Sequence, residues 1–217
     1  MTSWMPIIDI GHTAVMLPAA GAIAVWLVSG RAWKLAMWWC LIFSAGLGLV
    51  ALSKIGFLGW GLEIPALRFK ALSGHAWRAT AVIPVLFFVL LQRAPLRWRR
   101  VGVVLGMALS LGICALLVIF RFHTVSEVVA SAVLGFAAGF TFIRISAILP
   151  ALQIRSWAAP ASVLAFALIC GLKPSSINHR LVDVALFLSG RDHPYRWSRQ
   201  VQVTMCAAHP PAAPALP

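Results

Sequence analysis

The sequence is short of acid. Only 5 of its 217 residues are Asp or Glu, against 18 Lys and Arg, and charged residues of both signs make up 11%. A soluble domain carries about 25% charged residues and needs them to cover its surface. A chain that is 61% hydrophobic with so little charge cannot fold as a soluble domain, and at this length one helical unit is expected. Metal-ligand spacing is missing too: Cys40, Cys114, Cys170 and Cys206 are scattered, and the first three lie inside apolar runs, so they read as small apolar residues. The first dozen residues lack Lys and Arg. A cleaved signal peptide needs a basic start, so the first apolar run is expected to be retained.

What is present is apolar length. Six runs stand out, at 13–29, 35–53, 76–92, 101–120, 124–148 and 157–172. A bilayer core of about 30 Å takes about 20 helical residues. The second and fourth runs meet this, and the first does if it starts near Pro6, with Asp9 and His12 at its outer end. The third is uninterrupted only from Ala79 to Leu91 and holds Pro84, which is expected to kink it; the sixth is short. The fold class is therefore all-α, a polytopic transmembrane bundle of about six helices, with five as the alternative. Trp33, Trp60, Trp77, Trp98 and Trp157 stand at run ends, as in an aromatic belt.

The formal charge of +13 lies in the gaps between runs, where it fixes topology and meets anionic headgroups, so nucleic acid is not an expected partner. Arg93, Arg97, Arg99 and Arg100, with no acid among them, mark a cytoplasmic loop. Alternation places Arg31, Lys34 and Arg155 on that side and segments 54–75 and 121–123 on the other, with 54–74 expected as a re-entrant or loop segment. The basic tail from Lys173 falls on the far side, against the positive-inside rule. Residues 1–172 are read as the membrane domain and 173–217 as a tail. In the tail, Ile177, Leu181, Val184, Ala185 and Leu188 recur at helical spacing, capped by Ser175 or Ser176 and ended by Gly190, which predicts an interfacial amphipathic helix. The Pro/Ala-rich end reads as disordered.

Ionisable groups near membrane depth are functional candidates. Ser73-Gly74-His75 opens an apolar run, where Ser can cap the helix, Gly lets an anion approach the backbone, and His can protonate a leaving oxygen. The same three residues also make an ordinary helix start. His123 and Glu127, four residues apart, can share one helix face, so that the carboxylate fixes the imidazole tautomer and frees the other nitrogen to attack phosphorus. Thr124-x-x-Glu127 is equally a capping box.

With Lys54 closing another run on the same side, the stretch from Lys54 to Glu127 resembles the type 2 phosphatidic acid phosphatase (PAP2) superfamily. Its pattern is K-x6-R-P, then P-S-G-H, then S-R-x5-H-x3-D. The resemblance implies a metal-independent and cofactor-free membrane lipid phosphatase. His123 would be the nucleophile, Glu127 its orienting acid, and His75 the acid and then the base. Lys54, Ser73 and Gly74 would hold phosphate. It implies substrates such as phosphatidic acid, phosphatidylglycerol phosphate or undecaprenyl pyrophosphate, cleaved at the non-cytoplasmic face of a bacterial inner membrane.

Several positions depart from the pattern. Glu127 replaces Asp, Leu72 replaces Pro, and the motif arginines fall on Gly61 and Leu117. Lys70, Arg68 and Arg121 are the expected basic stand-ins, Arg121 lying four residues after Leu117, one helical turn nearer His123 and on the face of Leu117 if that stretch is helical. The lost arginines leave a second possibility, a catalytically impaired relative that binds or moves an anionic lipid. A haem cytochrome ligated by His75 and His123 fits poorly, because both lie at run ends beside charged residues. The soluble vanadium haloperoxidase branch does not suit so apolar a chain.

Overall fold

A computed structural model describes residues 13–148 and 175–195. The sixth apolar run, Asp9, His12, Arg155, Trp157, Lys173 and the Pro/Ala-rich end lie outside the described residues. Within them the chain is all-helical: α1 (Thr13–Ser29), α2 (Trp33–Trp60), a 3-10 turn (Pro65–Leu67), α3 (Gly74–Leu90), α4 (Leu96–Ile119), α5 (Val125–Ile148) and α6 (Ser175–Ser189).

Three of these, α2, α4 and α5, are long and apolar enough to cross a bilayer; α1 and α3 are apolar and shorter. Only about a third of each long helix is covered by the rest of the chain, 28%, 33% and 33% of their most apolar windows. What stays uncovered is Leu52, Val104, Ile119, Val133 and their like rather than charge. In water that surface would be a gross liability, and in lipid it is a solvated one. The molecule is a helical membrane protein.

Helix ends follow local chemistry. Gly61 adopts a left-handed backbone (φ 67°) and closes α2. Ser73 caps α3, its Oγ accepting from the Ala76 amide at 3.3 Å. α5 opens with a reciprocal box, the Thr124 amide donating to Glu127 Oε2 (3.2 Å) and the Glu127 amide to Thr124 Oγ1 (3.4 Å).

Helix α3 is the centre. It is buried on nearly every side, and small residues let its neighbours reach it. On α4, Gly106 lies against the backbone at Ile83 and Pro84, and Ser110 Oγ donates to Ala79 O at 3.0 Å. On α5, Gly135 faces Trp77 and Thr80, and Gly139 faces Thr80 and Ala81. Without lipid-excluding hydrophobic force between helices, such close backbone approach is what holds a membrane bundle together. Pro84 sits where Gly106 makes room for it, and α3 continues to Leu90. Helix α1 is tied on by Trp39 Nε1 of α2, which donates to Ala20 O at 2.9 Å.

Three expectations are corrected. Trp77 is no belt residue: it is 2% exposed and packs on Phe43 and Gly46, because it points from α3 into α2. Trp33, Trp60 and Trp98 are exposed at helix ends. Residues 54–60 are not loop, since α2 runs on to Trp60 and the irregular segment begins at Gly61. Arg121 does not ride a helix, since α4 ends at Ile119 and Arg121 turns the chain through φ 57°.

Helix α6 is where the tail pattern placed it, and Gly190 (φ 66°) ends it. Its Ala185 and Ser189 pack on Gly59 of α2, while Val184, Phe187 and Leu188 are exposed. Tyr195, beyond it, donates its amide to Leu58 O at 2.8 Å and lays its ring against Gly61.

Candidate functional site at the loop end of the bundle

Helices α2 and α4 end, and α3 and α5 begin, at one end of the bundle. There the segment from Gly61 to Leu72 is stitched down by polar bonds. Ser126 Oγ donates to Leu67 O (2.7 Å), the Lys70 amide to Glu127 Oε1 (3.2 Å), the Leu72 amide to Ser53 Oγ (3.0 Å) and the Ser73 amide to Ser131 Oγ (2.7 Å). Ser131 passes its own proton to Glu127 O at 2.6 Å. The segment is irregular, but its path is set by α5 and, through Ser53, by α2.

Glu127 is the hub. Its carboxylate is almost entirely buried and accepts from the amides of Lys70 and Thr124, and its Oε2 lies 3.0 Å from His123 Nδ1. A carboxylate at that distance holds the proton on Nδ1 and leaves Nε2 with its lone pair. His123 is held from behind by its amide, which donates to Leu117 O (3.3 Å), as does that of Phe122 at 3.0 Å. Leu117 thus supplies a carbonyl that fixes the loop, and its side chain is core.

The His123 ring stands between two clefts. One, of about 380 Å³, is lined by Lys54, Phe57, Lys70, Leu72 and Glu127, with Leu181 and Val182 of α6 along one side. The other, of about 500 Å³, is lined by Arg68, Lys70, Arg121 and Thr124 beside His123 and Glu127. Lys54, Lys70, Arg68 and Arg121 thus line clefts that His123 also lines. Arg68 and Arg121 are exposed, both on left-handed backbone. Ser73 and Gly74 are buried under the first turn of α3, and His75 stands half-buried on that turn without lining either cleft. Among the described residues no group of three or more His, Cys, Asp and Glu stands together as metal ligands would.

Five residues around the site are not among the functional candidates that the sequence offers. Ser53 and Ser131 are serines in apolar runs, and Ser131 sits one turn after Glu127, a spacing that marks a shared face. Leu181 and Val182 bring the tail to the site. Arg78 interrupts the third apolar run and carries the plainest signal, an ionisable group inside a helix.

The chain is 31% identical over 142 residues to a Klebsiella pneumoniae protein described as an uncharacterized 22.5 kDa protein in cps region, covering 65% of this chain and 68% of that one. It belongs to that protein's family. No protein-family model and no solved structure matches the chain.

Proposed function

We propose that this protein is a PAP2-like membrane hydrolase that removes a phosphate or pyrophosphate from a lipid through a phosphohistidine at His123. The observation that carries this is the His123–Glu127 pair, 3.0 Å apart, on the wall of a cleft with Lys54 and Lys70. A buried carboxylate behind an imidazole prepares a nucleophile, and ammonium groups beside it suit a phosphoryl group in transfer.

In this reading Nε2 of His123 attacks phosphorus as the bond to the lipid oxygen breaks, and His75, which must swing from the first turn of α3 toward the cleft, gives that oxygen its proton. Water, deprotonated by His75, then attacks the phosphohistidine, the P–N bond breaks, and phosphate leaves. Lys54, Lys70, Arg68 and Arg121, which line the clefts, neutralise the phosphate, Ser73 and Gly74 set the start of α3 behind it, and no metal or cofactor is required. The site lies at headgroup level in a bundle of six spans, on the non-cytoplasmic face of a bacterial inner membrane. Phosphatidic acid, phosphatidylglycerol phosphate and undecaprenyl pyrophosphate are the substrates to try.

One observation favours the second reading, a relative that binds an anionic lipid without cleaving it. The two positions of the motif arginines are structural here: Gly61 caps α2 against Tyr195, and Leu117 is core. Phosphate release from a panel of lipid phosphates decides between them. Release by the wild type, abolished in His123→Ala, supports the hydrolase. Lipid binding without release supports the alternative.

A further inference from the structure

Arg78 is an ionisable residue inside a packed apolar helix. It lies on the second turn of α3, only 9% exposed, in a helix packed on nearly all sides. Its Nε has no hydrogen-bond partner, and among the described residues no carboxylate pairs with it, the Glu127 carboxylate being committed to His123. A buried unpaired guanidinium is costly, and in a membrane helix such a group belongs to a site.

Its direction is fixed by its neighbours. A methyl carbon built on Gly74 would lie 3.0 Å from Arg78 Nη1 and 3.5 Å from Val50 Cγ1. The guanidinium therefore folds back toward the start of α3, on the side facing α2. Lys54 is one turn along from Val50 on the same face of α2, within electrostatic reach of Arg78, and it lines the cleft that His123 lines. Two cations that close to one another repel, and an anion taken up beside them relieves that repulsion. The positive end of α3 points to the same place. Glycine at position 74 leaves the guanidinium room to reach back.

We infer that Arg78, buried near the start of α3, and Lys54, half-buried on α2, form an oxyanion subsite that takes a phosphate group, free or on a lipid headgroup. This rests on the phosphate-pocket reading above but not on catalysis. Arg78 supplies from α3 the guanidinium missing at Gly61 and Leu117. Unlike Arg68 and Arg121 it is shielded from water, so its contact with a phosphate is strong.

The test uses full-length protein in detergent, titrated calorimetrically with inorganic phosphate and, separately, with phosphatidic acid in mixed micelles. Arg78→Met is expected to weaken binding about tenfold or more, the loss of a charged hydrogen bond, with Arg78→Lys recovering part of it. Gly74→Ala, which pushes on the guanidinium, is expected to weaken it too, and it serves if Arg78→Met does not fold. Binding of both ligands assigns the subsite to the phosphate group itself, and binding of phosphatidic acid alone assigns it to a headgroup. Unchanged affinity in folded Arg78→Met, or in both Arg78→Lys and Gly74→Ala, overturns the subsite, as does failure of the wild type to bind either ligand. Phosphate release is scored apart. Binding without release removes the hydrolase and keeps the subsite, while release indifferent to Arg78 does the reverse.

Discussion

The seam around α3 and the loop end that carries His123 are built from the same chain by opposite means. In the seam, side chains are taken away: Gly106, Gly135 and Gly139 bring backbones together and leave no room for anything else. At the loop end, polar groups accumulate, and one carboxylate, Glu127, organises two amides and an imidazole. The seam is tight and tolerates no addition. The loop end is open, with clefts on both sides of His123 and several cations along them. A change in the seam should therefore register in stability, and one at the loop end in chemistry.

The largest effect expected at the loop end, after loss of His123 itself, comes from Glu127→Gln. The amide keeps the size of the carboxylate but turns one acceptor into a donor, facing backbone amides that also donate. It ceases to enforce the Nδ1–H tautomer of His123, which in a comparable dyad costs several powers of ten. Turnover should fall at least about a hundredfold, with Glu127→Asp, the residue of the PAP2 pattern, much nearer wild type. Equal turnover in the Glu127→Gln protein would mean that the dyad is only a helix cap.

The seam gives the next effect. Gly135→Val places methyl groups where Thr80 Oγ1 and the Trp77 carbonyl already stand. Overpacking of that kind costs about 3 kcal/mol at the upper end of its range. A fall in melting temperature in detergent is expected, together with loss of whatever activity depends on the fold. Gly112 has open space around it, so Gly112→Ala should leave the melt unchanged. If both variants melt alike, the close approach of α5 to α3 is not what holds the bundle.

These two regions were not equally legible in the sequence. Five apolar runs became helices close to where hydropathy placed them, because a lipid-facing helix must be apolar along its length. The capping residues Ser73 and Thr124 were legible as well, since a cap is local chemistry. The pairing of His123 with Glu127 followed from four-residue spacing. What spacing could not reveal was anything carried by another element. Trp77 reads as an interfacial aromatic until α2 is seen to cover it. Arg121 reads as helical until α4 stops two residues before it. Arg78 reads as an interruption in an apolar run until Gly74 and Lys54 are found around it. The close stacking of α4 and α5 on α3 was equally hidden, because glycine looks the same in a turn and in a seam.

Ser131 stands where the two regions meet, and it gives the smallest and most discriminating prediction. It lies one turn from Gly135 on α5, fully buried, so it belongs to the seam. Yet it accepts from the Ser73 amide at 2.7 Å and donates to Glu127 O at 2.6 Å, so it also anchors the loop. Ser131→Ala removes an acceptor that the buried Ser73 amide cannot replace with water, at a cost of about 1–2 kcal/mol. The melt should drop slightly, as for a seam residue. The difference from Gly135→Val lies in where the damage goes: amide hydrogen exchange should speed up in residues 68–76 and stay slow at Ala79–Val85, because only the loop loses its tether. Exchange that rises through α3 as a whole would make Ser131 a packing residue only. Exchange unchanged everywhere would mean that the loop holds its path without α5, and that the position of Lys70 and Ser73 beside Glu127 owes nothing to this bond.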